Sequence, residues 1–130
     1  AAGLDVCSGG IMGLGESIED RIDMALSLRD LGIESIPVNM LNPIPGTPME
    51  KYESLTVKEM QRIIAVYRFI LPKAFIRLAG GRGLMDDKGK ACFQSGANAT
   101  ISGDMLTTAG ITVKKDLRLL EELDYRIKPL

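Results

Sequence analysis

Histidine is missing from all 130 residues, and with it go the commonest general base and the commonest neutral metal ligand, so histidine triads are excluded. Tryptophan is also missing and aromatics make up only 5% of the chain, which argues against stacking platforms for single-stranded nucleic acid or sugar rings. Cysteine is scarce. Cys7 and Cys92 stand far apart with no CxxC, so neither a disulfide framework nor a zinc knuckle is supported, and a reducing compartment is expected. There is no excess of either charge: 16 basic and 17 acidic side chains leave a net charge of -1, without the footprint that nucleic acid or an anionic membrane would require. No apolar run approaches the roughly 20 residues of a membrane span, and Ala1-Ala2-Gly3-Leu4-Asp5 lacks a basic region followed by an apolar stretch. The chain is expected to be soluble and cytoplasmic.

What is present is enough apolar sequence, 45%, for one domain over residues 1–130 with a core of its own. Helix signals follow each strand-like run. Ser17 with Asp20 forms a capping box ahead of Ile18, Ile22, Ala25 and Leu28, and Gly32 stands where a helix over 17–31 would end. Thr56 with Glu59 repeats the pattern before Met60, Ile63, Ile64 and Tyr67, predicting a second helix that ends near Leu71, before Pro72. Shorter helices are expected over 86–95 and 113–125, and strands over 4–7, 35–41, 75–79 and 99–102. The strands are short, apolar on both faces and bounded by Gly or Pro, as parallel strands flanked by helices should be. A βαβαβαβα order fits either an open doubly wound sheet or half of a (β/α)8 barrel, whose full form takes about 250 residues and eight units. In both, function belongs at the C-terminal ends of the strands.

The densest chemical signal is Val6-Cys7-Ser8-Gly9-Gly10-Ile11-Met12-Gly13-Leu14-Gly15-Glu16, a thiol at the end of an apolar run before four glycines in seven residues. An extended segment would bring the sulfur to one rim of the fold, and the glycines would let backbone approach a flat or bulky ligand. Arg77 lies inside Phe75-Ile76-Arg77-Leu78-Ala79, where a buried guanidinium is costly without an anionic or metal-bound partner; a structural ion pair would also serve. Asn39 lies inside Ile36-Pro37-Val38-Asn39-Met40-Leu41, where its amide must hydrogen-bond a ligand bearing a urea or amide group, or else cap a local turn. Cys7, Asn39 and Arg77 fall on three successive strands and would share one cavity if all pointed inward. The clusters Gly80-Gly81-Arg82-Gly83 and Ser95-Gly96-Ala97-Asn98 have the composition of an anion cradle and equally that of ordinary turns.

Taken together, these residues resemble the C-terminal half of the biotin synthase family of radical S-adenosylmethionine enzymes, over essentially the whole chain. The resemblance is carried by Val6-Cys7-Ser8-Gly9-Gly10-Ile11, by residues 35–41 with Gly46-Thr47-Pro48, by Ile76-Arg77-Leu78-Ala79-Gly80-Gly81-Arg82, by Cys92-Phe93 leading to Gly96-Ala97-Asn98, and by Gly103-Asp104-Met105-Leu106-Thr107-Thr108. It implies four βα units forming the C-terminal half of a TIM-type barrel. It also implies sulfur insertion into dethiobiotin, in which a 4Fe-4S cluster cleaves S-adenosylmethionine and a 2Fe-2S cluster donates the sulfur. By position, Cys7 resembles a thiolate ligand of the 2Fe-2S cluster and Arg77 its arginine ligand. Gly9, Ile11, Gly13 and Glu16 resemble the G-x-I-x-G-x-x-E element that supports the adenine, and Asn39 the asparagine beside the dethiobiotin ring. Cys92 is expected in the core. The family's CxxxCxxC motif does not occur in these residues, and two cysteines cannot complete either cluster. The 130 residues alone are therefore expected to be inactive, lacking the N-terminal half of the barrel. They are also expected to self-associate, two halves closing one barrel. The competing expectation is a non-catalytic half-barrel that binds itself or a partner, with Cys7 merely packed.

Overall fold

The computed structural model describes residues 3–104 and 110–128; residues 105–108, which carry part of the resemblance, lie outside that range. Reciprocal caps start both long helices. Helix α1, Ile18–Asp30, opens on Ser17, whose hydroxyl accepts the Asp20 N–H while the Asp20 carboxylate accepts the Ser17 N–H. Helix α2, Val57–Ile70, opens on Thr56 with Glu59 in the same arrangement. At the end of α1, Gly32 takes a φ of 68°, which lets its N–H reach the Arg29 carbonyl and the Ile33 N–H reach that of Leu28.

Strands β1, Gly10–Met12, β2, Ser35–Met40, β3, Phe75–Leu78, and β4, Ala99–Thr100, form one parallel sheet in the order β1-β2-β3-β4. Helices α3, Lys90–Gln94, and α4, Val113–Glu122, complete the α/β alternation. Alternation along the strands decides which face is covered. Met12, Ile36, Val38, Met40, Ile76 and Leu78 point to one side and are buried against Ala25 and Leu28 of α1, Ile64 and Tyr67 of α2, and Phe93 of α3. Each such side chain contributes about 1.5–3 kcal/mol of transfer free energy. Ser35, Pro37, Asn39 and Arg77 alternate with them and stay partly exposed, as does Phe75. Sequential strand order with a core on a single sheet face is how a barrel segment is built. A doubly wound sheet reverses its order and covers both faces.

Several expectations need correcting. The first strand is not at 4–7: β1 begins at Gly10, and Cys7 meets β2 only through an isolated bridge to Ser35. The glycine run divides in two: Gly10 pairs with Val38 of β2 and Gly9 lies against Pro37, where the backbones approach closely, while Gly13 and Gly15 turn the chain with left-handed φ values. A Cβ on Gly9 would lie 2.0 Å from the Pro37 carbonyl oxygen. Strands β2 to β4 match their expected positions with slightly shorter ends, but β2 and β3 are buried on one face only. Helix α3 starts at Lys90 rather than 86, since Asp87 acts from outside it: its carboxylate accepts the N–H groups of Gly89 and Ala91. Helix α4 stops at Glu122, where Asp124 takes a left-handed φ of 56°.

Candidate functional site

The sheet face opposite the hydrophobic core carries all three of the singled-out polar side chains, at three different levels on neighbouring strands. Cys7 is exposed and level with Ser35, and the Ser35 hydroxyl donates to its sulfur at 3.2 Å, so both side chains lie on that face. Arg77 is level with Pro37 and Ala99, and Asn39 with Ile11. With strands about 4.8 Å apart and about 3.3 Å of rise per residue, the backbones of Cys7 and Arg77 are about 12 Å apart, and Cys7 and Asn39 lie about 13 Å apart along the strands. The site therefore runs the length of the sheet instead of lying at the C-terminal ends of the strands. Cys7 sits at the opposite end from Asn39, because it precedes β1 by three residues.

Arg77 forms no ion pair among the described residues, so the structural pairing open to it from the sequence is not made there. Its neighbours on the strand, Ile76 and Leu78, anchor its backbone in the core. A groove of about 700 Å³ runs along the free edge of β4, lined by Phe75, Arg77, Ala99, Leu120, Tyr125 and Ile127. Asn39 already uses one donor and one acceptor: its Nδ2 donates to the Gly10 carbonyl at 3.2 Å and its Oδ1 accepts the Gly80 N–H at 2.8 Å. It thus ties β1 to the turn after β3. One Nδ2 hydrogen and one Oδ1 lone pair are left for a ligand.

The glycine element divides into backbone and support. Ile11 presents a half-exposed apolar side chain beside Asn39. Gly9 is required by the Pro37 carbonyl, and Gly13 by its φ of 97°. Glu16 folds back over the turn, accepting the Gly13 N–H at 2.8 Å and the Leu14 N–H at 2.6 Å, and pairs with Arg21 at 2.7 Å. Burial pushes its carboxyl up, but these N–H donors and the Arg21 guanidinium outweigh that and hold it below its usual value, so it stays ionised into acid. Its work is to shape the loop.

Cys92 is fully buried, and burial pushes its thiol up to about 12, leaving it inert packing as expected. Among the described residues no cluster of three His, Cys, Asp or Glu side chains is placed to hold a metal. The described residues thus place one exposed thiol, Cys7, and one partly exposed guanidinium, Arg77, on the same face.

The sequence reading missed a buried ion pair. Arg82, just after the β3 turn, donates through Nη2 to Asp116 of α4 at 2.6 Å, with the two side chains 4% and 5% exposed. Nη1 donates to the Lys88 carbonyl, and the Ser102 hydroxyl also donates to Asp116. Gly81 turns the chain there with a φ of 81°, and a 310 Å³ cavity lined by Gly81, Arg82, Lys88, Ile111 and Lys115 opens above it. The second glycine cluster is turn chemistry: Gly96 closes α3 at a φ of 118°, and Arg68 donates to its carbonyl at 2.9 Å.

Residues 37–126 match the protein family described as the Biotin and Thiamin Synthesis associated domain. The chain is 69% identical over 127 residues to "Biotin synthase" of Brachyspira hyodysenteriae, covering 98% of this chain and 38% of that relative. It is 62% identical over 125 residues to "Biotin synthase 2" of Corynebacterium diphtheriae, covering 96% and 38%. It is 56% identical over 126 residues to "Biotin synthase" of Clostridium botulinum strain Loch Maree, covering 97% and 40%. The chain thus spans about two fifths of the length of the curated relatives it matches.

Proposed function

Because this chain belongs to the Biotin and Thiamin Synthesis associated domain family, we propose that it is the C-terminal half of a TIM-type (β/α)8 barrel in a biotin synthase, a radical S-adenosylmethionine enzyme that converts dethiobiotin to biotin. The observation that supports this reading most is the placement of Cys7, Arg77 and Asn39 on the sheet face opposite the hydrophobic core of the described residues. Sequential strand order, two sheet edges without a partner among the described residues, and a length of two fifths of the relatives support the remaining strands being supplied from elsewhere in a longer protein.

In this reading Cys7 and Arg77 are two ligands of a 2Fe-2S cluster, an exposed sulfur and a guanidinium with no ion-pair partner among the described residues. When bound, that cluster would supply the sulfur inserted into dethiobiotin. The other ligands come from outside this chain. A 4Fe-4S cluster does not fit these residues, since Cys92 is sealed in the core and leaves a single available thiol. Asn39 orients the ureido ring of dethiobiotin with its spare N–H and lone pair, held by Gly10 and Gly80 so that little side-chain entropy is lost on binding. Ile11 and the backbone at Gly9 and Gly13 provide a flat apolar support for the adenine of S-adenosylmethionine, with Glu16 fixing the loop. Alone, the chain lacks most of the cluster ligands and is inactive.

The test is spectroscopic. In the full-length protein reconstituted anaerobically, Cys7→Ala is expected to lose the 2Fe-2S absorption and Arg77→Ala to shift it; spectra unchanged in both variants would refute the ligand assignments.

Expressed without the remaining strands, the chain keeps Ile11 and Phe75 47% and 39% exposed on the open face, together with unpaired edges at β1 and β4. It is expected to pair with a second copy across that face. Sedimentation velocity at micromolar concentration reads this directly: a dimer or larger species is expected, and a monodisperse monomer contradicts it.

A further inference from the structure

Ser35 is the first residue of β2, and its hydroxyl has a specific partner: Oγ donates to Cys7 Sγ at 3.2 Å. The donor is held rigidly. Ser35 pairs with Phe75 of β3 on one side and with Cys7 on the other, its carbonyl accepts the Ser8 N–H at 3.1 Å, and the next residue, Ile36, is completely buried. The hydroxyl therefore reaches the sulfur from a fixed strand rather than from a mobile loop.

We propose that Ser35 is a positioning residue for the Cys7 sulfur, orienting it as a ligand and setting the reduction potential of the cluster it holds. This rests on the reading of Cys7 as a 2Fe-2S ligand. A cysteinyl sulfur gains electron density when its cluster is reduced, so an O–H donor on that sulfur stabilises the reduced form more than the oxidised form. The hydroxyl thus raises the potential, and its removal makes the cluster harder to reduce. A neutral hydrogen bond has a net value of about 1 kcal/mol, which at 1.4 kcal/mol per tenfold is about a fivefold change in the ratio of reduced to oxidised cluster at a fixed potential. Threonine keeps the hydroxyl and suits a strand, whereas alanine removes the donor with little change of backbone.

The experiment is spectroelectrochemical titration of the 2Fe-2S cluster in the full-length protein, with Ser35→Ala and Ser35→Thr beside the parent. Ser35→Ala is expected to lower the reduced-to-oxidised ratio about fivefold at the parent's midpoint and Ser35→Thr to restore it. A cluster retained in Ser35→Ala with an unchanged midpoint overturns the proposal while leaving Cys7 as a ligand. A cluster indifferent to Cys7→Ala overturns the reading beneath it, and the proposal with it. Should Ser35→Ala not hold its cluster, the parent alone decides: resonance Raman bands of the Fe–S(Cys) bonds are expected to move between H2O and D2O, and bands that stay fixed overturn the proposal.

Discussion

Replacing Asp116 by alanine is expected to destabilise this domain by about 3–5 kcal/mol, the cost of leaving one member of a buried ion pair without its partner. The loss is large because Arg82 cannot reach water: its side chain is 4% exposed, and among the described residues its Nε has no partner and, once the carboxylate is gone, only the Lys88 carbonyl still accepts from its guanidinium. The Ser102 hydroxyl loses its acceptor in the same step. Three segments meet at this carboxylate, namely the turn after β3, the end of β4 and the first turn of α4, so the damage spreads to the C-terminal mouth of the sheet. Exchanging both partners for apolar residues, Arg82→Met with Asp116→Leu, is expected to cost much less than Asp116→Ala alone, because neither buried charge survives. Urea unfolding of the parent, Asp116→Ala and the double variant measures the difference. A double variant as unstable as the single one would show that the charges themselves hold α4 in place.

The second large effect is expected from Gly9→Ala. The backbone of Gly9 is not in the left-handed region, so alanine is conformationally permitted; the penalty is entirely one of space. Its Cβ would lie 2.0 Å from the carbonyl oxygen of Pro37 and 2.9 Å from the carbonyl carbon, both backbone atoms of β2 that no rotamer change can move. Strain of this kind falls at or beyond the upper end of the about 1–3 kcal/mol typical of overpacking, and it is relieved only by separating β1 and its leader from β2. That separation would break the Cys7–Ser35 bridge and displace the thiol. Gly46→Ala makes the control: its left-handed φ of 81° is the less suitable for alanine, but a Cβ there meets nothing within 4 Å. Thermal unfolding is expected to show a much larger loss for Gly9→Ala than for Gly46→Ala, and equal losses would mean that the strands can part at that point without cost.

The helices were legible because their signals are local. Ser17 and Asp20, like Thr56 and Glu59, are three residues apart and complete each other's caps within a single turn. Arg77 stood out for a similar reason, as one charge in a run whose neighbours are buried. What was not legible depends on pairing across the sheet. The first strand looked like a glycine turn because nothing in residues 9–15 tells of the Pro37 carbonyl that makes a side chain at Gly9 impossible. Asn39 looked like a ligand group awaiting its partner, and the backbone of β1 and of the turn after β3 had already claimed half of its amide. Arg82 and Asp116 are separated by 34 positions, and each has an ordinary local explanation, the arginine as a solvated turn residue and the aspartate as an acidic group in the first turn of a helix. Ser35 was passed over as the polar start of an apolar strand, since its significance lies in the sulfur opposite.

Biotin formation is the most direct measure of the central claim, that Cys7 on the open sheet face belongs to the sulfur-donating centre of a biotin synthase. The full-length protein, reconstituted anaerobically and supplied with S-adenosylmethionine, a reductant and dethiobiotin, is expected to yield biotin detectable by mass spectrometry, and Cys7→Ala is expected to yield none. Biotin formed equally well without the Cys7 thiol would contradict the account.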